Sequence, residues 1–408
     1  MSEAPSKTQS VALSPVPQAP PGPPAPALLA EGGPEVVLGG GADPLVPMIA
    51  PTRSSLFGPR GATLLAPEGP LVVADTGHHR LLGWTRRPSS EGAPADWILG
   101  QPDAFTEGRN GGDDGDARAD TLNVPTGVAR YGDAGAGAIG LVVADGWNHR
   151  VLIWHRVPTS DNTPADLVLG QADFRGSQPN RGGEVSAATM HWPFGVLVHD
   201  GRLIVADTGN RRVLIWNSLP EANGQPADLV LGQADMAARS DNGGGDPDAR
   251  SMRWPHDLAI CQGDLVVTDA GNNRVMRWSG IPERSYAPAE RILGQVDAAH
   301  IDHNQASYWP RADTLNMPYA IAASGDTLLI GDTANSRLLG WRSGEAEAAQ
   351  LTGQAHFRAK GDNRWGVPTR DSLCWPYGLD VCGDVAVVSD TGNHRVLLWR
   401  IASRCDGR

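Results

Sequence analysis

Short apolar runs alternate with polar turns along most of the chain, and one such pattern recurs six times. In its last copy an apolar pair leads to Asp390, a Thr-Gly-Asn-His turn follows, and a second apolar run extends from Arg395 to Trp399. Glycine and asparagine readily adopt the positive φ angles of hairpin turns, so the pattern predicts two short antiparallel strands joined by a tight turn. The aspartate, arginine and tryptophan of the six copies are Asp75, Arg80 and Trp84; Asp145, Arg150 and Trp154; Asp207, Arg212 and Trp216; Asp269, Arg274 and Trp278; Asp332, Arg337 and Trp341; and Asp390, Arg395 and Trp399.

Two further apolar segments flank this hairpin. A proline turn leads into a strand before it, and a final strand after it ends on Gly-Gln. Their three or four consecutive apolar residues suit strands that packed sheets cover on both faces. Four strands per repeat and six repeats of about sixty residues predict one all-β domain, a six-bladed β-propeller.

The two ends of the chain predict how the ring closes. The last repeat stops after its third strand near Ile401, whereas a spare apolar strand at 35–39 stands before the first repeat. We therefore expect the strand at 35–39 to complete the last blade, which removes a free sheet edge. The predicted organisation is a disordered Pro/Ala-rich arm at 1–34, the propeller at 35–401 and a tail at 402–408, because so little apolar surface in the arm cannot offset its ordering entropy.

Long loops, rich in Asn, Gly and Asp, connect each final strand to the next proline turn. In a propeller these connections lie on the same face as the Asp-to-Arg turns, and loops of roughly twenty residues are usually functional or mobile. Their carboxylates could ligate calcium, but the spacing is not that of an EF-hand, so solvated acidic loops are the preferred interpretation. The carboxylates considered are Asp113, Asp114, Asp116, Asp241, Asp246 and Asp248. Each loop also carries an asparagine at a similar place: Asn110, Asn180, Asn242, Asn304 and Asn363.

The net charge of −12 argues against a nucleic-acid partner, whose binding surface is normally basic, and against anionic membranes. The N-terminus lacks a signal-peptide pattern, and no apolar run approaches membrane-spanning length, so a soluble cytoplasmic protein is expected. The four cysteines show no metal-ligand spacing and are interpreted as small buried thiols. They are Cys261, Cys374, Cys382 and Cys405.

The phrase P-x-G-V-A followed by V-V-A-D-T-G-N-H-R-V resembles the NHL repeat, with Arg in place of Leu in Asn393-His394-Arg395. The resemblance extends over about residues 35–401 and implies a six-bladed propeller, a fold that hosts many functions. Members of the wider family include protein-interaction modules, RNA-binding domains, extracellular sensors, and lyases and hydrolases. The Leu-Gly-Gln-Ala-Asp-Phe extension also resembles a bacterial subgroup, some of whose members resemble accessory factors of metalloenzymes such as hydrogenases.

Residues that depart from the repeat are better functional candidates than those that recur. The recurring Asp/Arg pairs are interpreted as structural and the tryptophans as core between blades. The residue after each turn proline should line the channel: Arg60, Thr126, Phe194, His256, Tyr319 and Tyr377. Asp257 stands where most repeats have Gly or Ala, so His256-Asp257 either orients a ligand or a metal-bound water, or bonds only to the backbone.

These patterns predict a non-catalytic platform that binds a protein or peptide through its loop-rich face, with aromatic anchors at the channel mouth. The expected binding residues are Trp192, Phe194, Trp254, His256, Asp257, Tyr319, Trp375 and Tyr377. The alternative is a metal-dependent lyase or hydrolase that uses the channel, with His256, Asp257 and loop carboxylates. The sequence has no G-x-S-x-G, H-E-x-x-H or phosphate-loop motif, so no catalytic residue is assigned, no cofactor is expected, and the question of a metal stays open.

Overall fold

The computed structural model describes residues 19–41, 49–112, 115–132 and 139–402. In this part of the chain, strands form six antiparallel sheets of four strands each. The innermost strands of neighbouring sheets contact one another in order, and the sixth contacts the first, so the sheets form a closed ring. The predicted all-β six-bladed propeller is confirmed.

The strands are numbered along the chain. The first, β1, spans Val36–Gly39. The innermost strands of the blades are β2 (Gly61–Leu64), β6 (Pro125–Tyr131), β10 (Pro193–His199), β14 (Pro255–Cys261), β18 (Pro318–Ser324) and β22 (Pro376–Cys382). The second strands are β3 (Leu71–Asp75), β7 (Gly140–Asp145), β11 (Arg202–Asp207), β15 (Asp264–Asp269), β19 (Thr327–Asp332) and β23 (Val385–Asp390). The third strands are β4 (Arg80–Trp84), β8 (Arg150–Trp154), β12 (Arg212–Trp216), β16 (Arg274–Trp278), β20 (Arg337–Arg342) and β24 (Arg395–Arg400). The outer strands are β5 (Trp97–Leu99), β9 (Leu167–Leu169), β13 (Leu229–Leu231), β17 (Arg291–Leu293) and β21 (Gln350–Thr352).

The sixth blade is completed by the N-terminal strand. β1 pairs antiparallel with β24, with Val36 opposite Leu398 and Gly39 opposite Arg395, and the sheet order is β1-β24-β23-β22. The spare strand expected at 35–39 therefore takes the outer position of the last blade. Backbone hydrogen bonds between the two ends of the chain hold the ring closed.

The segment just before β1 differs from the disordered arm predicted at 1–34. Leu28 and Leu29 are each 1% exposed and belong to the core between blades five and six. The Leu28 N–H donates to the Leu351 carbonyl at 3.1 Å, and the Ala30 N–H donates to the Arg400 carbonyl at 2.9 Å. Two adjacent leucines thus order a stretch whose overall composition suggested disorder. Residues 1–18 and 403–408 of the predicted arm and tail lie outside the described residues.

Six clusters of buried apolar side chains hold neighbouring blades together. The tryptophans that end the third strands lie in these clusters, and the Trp154 indole N–H donates to the Thr163 carbonyl at 3.0 Å. Burying such a ring removes a large apolar surface while its N–H keeps a partner. The interpretation of these tryptophans as core residues is confirmed.

The Asp-to-Arg connections differ in detail from the predicted tight turn. Each contains one turn of 3₁₀ helix: Thr76–His78, Gly146–Asn148, Thr208–Asn210, Ala270–Asn272, Thr333–Asn335 and Thr391–Asn393. The positive φ is taken not by Gly or Asn of this turn but by the next residue: His79, His149, Arg211, Asn273, Ser336 and His394. Gly209 is required for space instead, because a Cβ there would lie 2.4 Å from the His191 carbonyl oxygen.

The long loops also contain a short 3₁₀ turn each: Arg109–Gly111, Pro179–Gly182, Asp241–Gly244, His303–Ala306 and Asp362–Trp365. Within the described ranges, no helix combines the length and apolar character needed to cross a membrane. Cys261 and Cys382 are buried free thiols, as expected, whereas Cys405 lies outside those ranges. Burial raises the pKa of the Cys374 thiol to about 12.

Candidate functional site

The recurring Asp/Arg pairs form a buried polar network beneath the loop-rich face. In blade three, Asp207 Oδ1 accepts the His191 backbone N–H at 2.7 Å, and Oδ2 accepts the Arg212 Nε at 2.8 Å and the Asn210 amide at 2.8 Å. Both charged side chains are fully buried. A buried ion pair is tolerated only when its remaining donors and acceptors are satisfied, which this arrangement achieves. The pairs are therefore structural, as predicted.

The same network holds the long loops in place. Asn180 in the loop and Asn210 in the turn exchange two amide hydrogen bonds at 3.1 and 2.9 Å, and Arg212 donates to the Ser186 and Thr189 carbonyls at 2.9 Å each. The loop asparagines noted in the sequence all pair in this way: Asn110 with Asn148, Asn180 with Asn210, Asn242 with Asn272, Asn304 with Asn335, and Asn363 with Asn393. The loop-rich face is thus a fixed surface along these stretches.

The loop carboxylates do not assemble a metal site among the residues that the structure describes. No group of three or more His, Cys, Asp or Glu side chains there is arranged to hold a metal ion. Asp241 pairs with Arg211 at 2.6 Å, and Asp248 accepts the backbone N–H groups of Arg250 and Ser251 at 2.8 Å. Asp113 and Asp114 of the calcium hypothesis lie outside the described residues.

A layer of aromatic side chains lies across the channel just below the loop-rich face. We define it by Phe194, His256, Tyr319 and Tyr377, all of which follow a turn proline. The ring of His256 stacks on Tyr319 at a centroid distance of 4.2 Å and lies 4.5 Å from Phe194, while Tyr319 lies 4.5 Å from Tyr377. Arg60 completes the layer, with its guanidinium 5.2 Å from the Tyr377 centroid. The structure therefore brings these predicted channel residues together, and they pack against one another across the channel.

The three predicted tryptophans lie above this layer. Trp192 meets His256 edge-on at 6.1 Å, and its buried indole N–H has no hydrogen-bond partner among the described residues. Trp254 packs beneath the Arg253 guanidinium at 5.3 Å. Trp375 is 49% exposed on the loop-rich face.

His256 and Asp257 do not act as a pair. His256 Nδ1 lies 3.0 Å from the Trp254 carbonyl, and burial lowers the pKa of its imidazole to about 4, so the ring is neutral and donates through Nδ1. Asp257 accepts the Ile321 N–H at 2.9 Å and the Leu258 N–H at 2.9 Å, and burial raises its pKa to about 7. Each side chain therefore bonds to the backbone, which was the alternative interpretation.

A cavity of about 280 Å³ lies on the other side of the aromatic layer, lined by the later residues of the innermost strands, including His199. Asp257, Asp380 and Arg130 are among its lining residues. Asp380 accepts the Leu64 N–H at 2.9 Å, and Arg130 donates to the Leu64 carbonyl at 2.8 Å, so both connect neighbouring blades. Sequence reasoning missed Asp380 and Arg130. Both depart from the small or apolar residues of the other repeats, which is the signal that identified Asp257.

Exposed apolar side chains concentrate on the loop-rich face. Every large hydrophobic side chain that is strongly exposed in the described part of the chain lies in one of its connections: Ile49, Phe57, Phe105, Trp147, Val296, Tyr308, Trp365, Val367 and Trp375. The described connections of the opposite face contribute none. This asymmetry distinguishes the two faces of the ring.

Comparison with known proteins agrees with the repeat pattern. The NHL repeat matches residues 252–277. The chain contains an NHL repeat. The match covers β14, β15 and most of β16, which are the three inner strands of blade four, and the other blades share their topology with this repeat. A comparison with curated proteins finds no match.

Several solved structures are similar in fold. Raptor from Chaetomium thermophilum is 12% identical with a TM-score of 0.45; the similarity covers 91% of this chain and 29% of that one. The WD40 β-propeller domain of Doa1 is 10% identical with a TM-score of 0.44 and coverages of 92% and 97%. A chain of the nidogen–laminin complex is 13% identical with a TM-score of 0.40 and coverages of 75% and 81%. This chain thus spans less than a third of the Raptor chain.

Proposed function

We propose that the protein is a non-catalytic platform that binds a protein or peptide partner through its loop-rich face. The observation that supports this most is the concentration of exposed apolar side chains on that face. Large exposed apolar groups mark interaction surfaces because water solvates them poorly and a partner can cover them. Propellers built from NHL repeats commonly mediate protein interactions, which agrees with this proposal.

The anchors of this surface are the aromatic residues of the last two long loops. Trp365 and Trp375 belong to the same loop and are 53% and 49% exposed. Tyr308 from the preceding loop is 52% exposed and carries the Lys360 ammonium 3.6 Å from its ring centroid. Aromatic side chains that become fully covered contribute much of the binding free energy of an interface. Of the residues expected from the sequence, Trp375 fits this role directly.

The other expected residues support the surface from beneath. Phe194, His256, Tyr319 and Tyr377 form the aromatic layer, which gives the centre of the face a rigid floor. A preformed surface loses little conformational entropy on binding, which favours affinity. Asp257 borders the cavity and is not part of this proposed surface.

Narrower hypotheses rest on composition and resemblance. An accessory or assembly role for a bacterial metalloenzyme such as a hydrogenase follows only from the resemblance of the Leu-Gly-Gln-Ala-Asp-Phe extension. We also propose a cytoplasmic location, and the net charge of −12 favours a partner that is neither nucleic acid nor membrane.

Affinity capture from the native host, with quantitative mass spectrometry, tests the proposed surface. The bait is the full chain, used as wild type, as a Trp365→Ala/Trp375→Ala variant, and as a Glu283→Ala/Arg284→Ala control on an exposed connection of the opposite face. We expect the wild type and the control to recover the same partner and the tryptophan variant to lose at least nine-tenths of it while its melting temperature is retained. Equal recovery by all three baits would overturn the proposal.

A further inference from the structure

The junction between blades three and four departs from the other junctions of the ring. Elsewhere, the residue with positive φ after the 3₁₀ turn accepts a hydrogen bond from the next blade: the His149 Nδ1 accepts the Trp192 N–H at 3.0 Å, and the Asn273 Oδ1 accepts the Met317 N–H at 2.8 Å. His79, Ser336 and His394 make the equivalent contact. This contact connects consecutive blades through a side-chain acceptor.

Arg211 occupies that position in blade three, and a guanidinium has no acceptor to offer. The Trp254 N–H bonds instead to Asp269 Oδ1 at 3.2 Å, and Trp254 is the one residue preceding a turn proline in the six blades that does not take a positive φ. The fold therefore does without the usual contact at this junction. Arg211 therefore does not make the hydrogen bond to the next blade that this position makes elsewhere in the ring.

A second arginine stands beside it at another repeat position. Arg253 occupies the place of Phe57, Asn123, His191, Asn316 and Cys374 in the other blades. Asp241 is shared by both guanidinium groups, with its Oδ1 2.6 Å from the Arg211 Nε and its Oδ2 3.4 Å from the Arg253 Nε. The side chains of Arg211 and Arg253 are 29% and 40% exposed.

These donors are incompletely satisfied. The Arg253 Nε is buried and makes no hydrogen bond within the described residues, although Asp241 lies nearby. Arg211 donates one hydrogen bond from Nε to Asp241 and another from a terminal nitrogen to the Gly209 carbonyl. Both arginine side chains remain partly exposed, so an acceptor from a partner can reach their guanidinium groups. One carboxylate therefore serves two guanidinium groups that can accommodate more acceptors.

The surroundings suit an anionic group from a partner. Arg239 is close enough that it and Arg211 both help to lower the pKa of His191, after the larger effect of burial. Trp254 lies under Arg253 and provides an apolar wall. The chain as a whole carries a net charge of −12, which on average repels an acidic molecule. The paired arginines therefore make this junction more favourable for an acidic segment than the average of the surface.

We propose that the junction of blades three and four is the part of the loop-rich face that recognises an acidic segment of the protein partner, with Arg211 and Arg253 binding an Asp or Glu carboxylate. Arginine is suited to this role because its planar guanidinium donates two parallel hydrogen bonds to a carboxylate. Asp241 holds the two arginines in place and competes with the incoming group. This inference rests on the proposed function and names the chemistry of the partner.

A peptide titration tests the inference on the full chain. The probe is a fluorescently labelled dodecapeptide of alternating Glu and Gly, compared with its Gln–Gly counterpart by fluorescence anisotropy at low salt. We expect the Glu peptide to bind at least tenfold more tightly than the Gln peptide. We also expect Arg211→Gln/Arg253→Gln to weaken the Glu peptide at least tenfold.

Two matched variants separate a local site from general electrostatics. Arg118→Gln removes an arginine that is 52% exposed on the same face, and it should change affinity less than twofold. Asp241→Asn should tighten binding of the Glu peptide at least twofold because it removes the competing carboxylate. Asp246→Asn, in the same loop, should not reproduce that gain. Equal binding of the two peptides, or equal effects of the matched variants, would overturn the inference.

The outcome is distinguishable from failure of the proposed function. If the Arg211→Gln/Arg253→Gln variant still captures the native partner fully while the Trp365→Ala/Trp375→Ala variant does not, the platform stands and the acidic-segment inference fails. If both variants keep the partner, the platform itself fails. Circular dichroism and a thermal melt of each variant exclude loss of the fold as the cause.

Discussion

Repeated and unrepeated residues lie in the same connections of this propeller, but the repeated ones are buried and the unrepeated ones face solvent. The buried Asp207, Arg212 and Asn210 recur in nearly every blade, and their hydrogen-bonding groups turn inward onto the backbone of the loops. Trp365 and Arg211 break the pattern of their repeat positions and turn toward solvent. Repetition therefore marks what the ring needs in order to close and stay rigid, and departure from repetition marks what one face presents to other molecules.

The largest expected effect comes from breaking the repeated network. Asp207→Ala would leave Arg212 buried without its counter-charge, which typically costs about 3–5 kcal/mol of the free energy of unfolding. Asp120→Ala removes an exposed ion pair with Arg118 and should cost about 0–1 kcal/mol. Urea denaturation of both variants makes the comparison. Similar losses would mean that burial does not separate the two kinds of pair.

The N-terminal segment around Leu28 is an exception to this division, because it belongs to no repeat and is nevertheless buried. Leu28→Ala should lower the free energy of unfolding by about 2–5 kcal/mol, since it opens a cavity between blades five and six. Glu31→Ala, three residues later and exposed, serves as the control and should have little effect. If Leu28→Ala leaves the urea midpoint unchanged, the segment adds nothing to ring closure.

A smaller effect is expected from pH. Burial, with a smaller effect of the neighbouring His191, lowers the folded-state pKa of His149 from 6.5 to about 4. The neutral ring accepts the Trp192 N–H at Nδ1. The stability that this neutral ring contributes is complete above pH 6.5 and is lost as the pH falls toward 4, because the unfolded state then binds the proton more readily. Asn273 makes the same contact without titrating, so His149→Asn should flatten the decline.

Denaturation at pH 7 and pH 5 measures this difference. After allowance for solvent screening of a half-buried group, we expect the wild type to lose about 1 kcal/mol more than His149→Asn over this interval. An identical pH dependence of the two proteins would show that the contact with Trp192 does not depend on the charge of His149.

The smallest effect on stability is expected at an exposed side chain of the loop-rich face. Trp375→Ala should change the free energy of unfolding by less than about 0.5 kcal/mol, as exposed positions away from the packed core usually do. Its effect should appear in partner capture instead. A large loss of stability would place Trp375 among the structural residues and remove it from the proposed surface.

The architecture could be predicted from the sequence because the pattern of each strand occurs in several repeats. Six copies in register fixed the blade count, and the missing outer strand of the last repeat pointed to β1. The turn geometry was not accessible, because Gly209 is conformationally ordinary and is needed only for the space beside His191. A sequence pattern cannot separate a glycine required for its φ from one required for its size.

The sequence predicted which residues lie at the channel, but it did not predict how their side chains pack. The post-proline residues were expected at the channel, and four of them meet in the aromatic layer. That they would fill the channel depends on the sizes of all the side chains together, which no single repeat reveals. Leu28 is hard to recognise as a core residue because proline and alanine dominate its neighbourhood, and Arg211 occupies a turn position at which polar residues vary between the repeats.

The aromatic layer lies across the central channel, between the loop-rich face and the cavity. The 280 Å³ space beneath it is lined by the later residues of the innermost strands, which end at the face that lacks the long loops. A macromolecule seated on the upper rim would therefore leave the lower compartment open to exchange with solvent. Entry of a solute into the cavity and binding of a partner on the loop-rich face are therefore independent unless the stack of Phe194, His256 and Tyr319 itself moves.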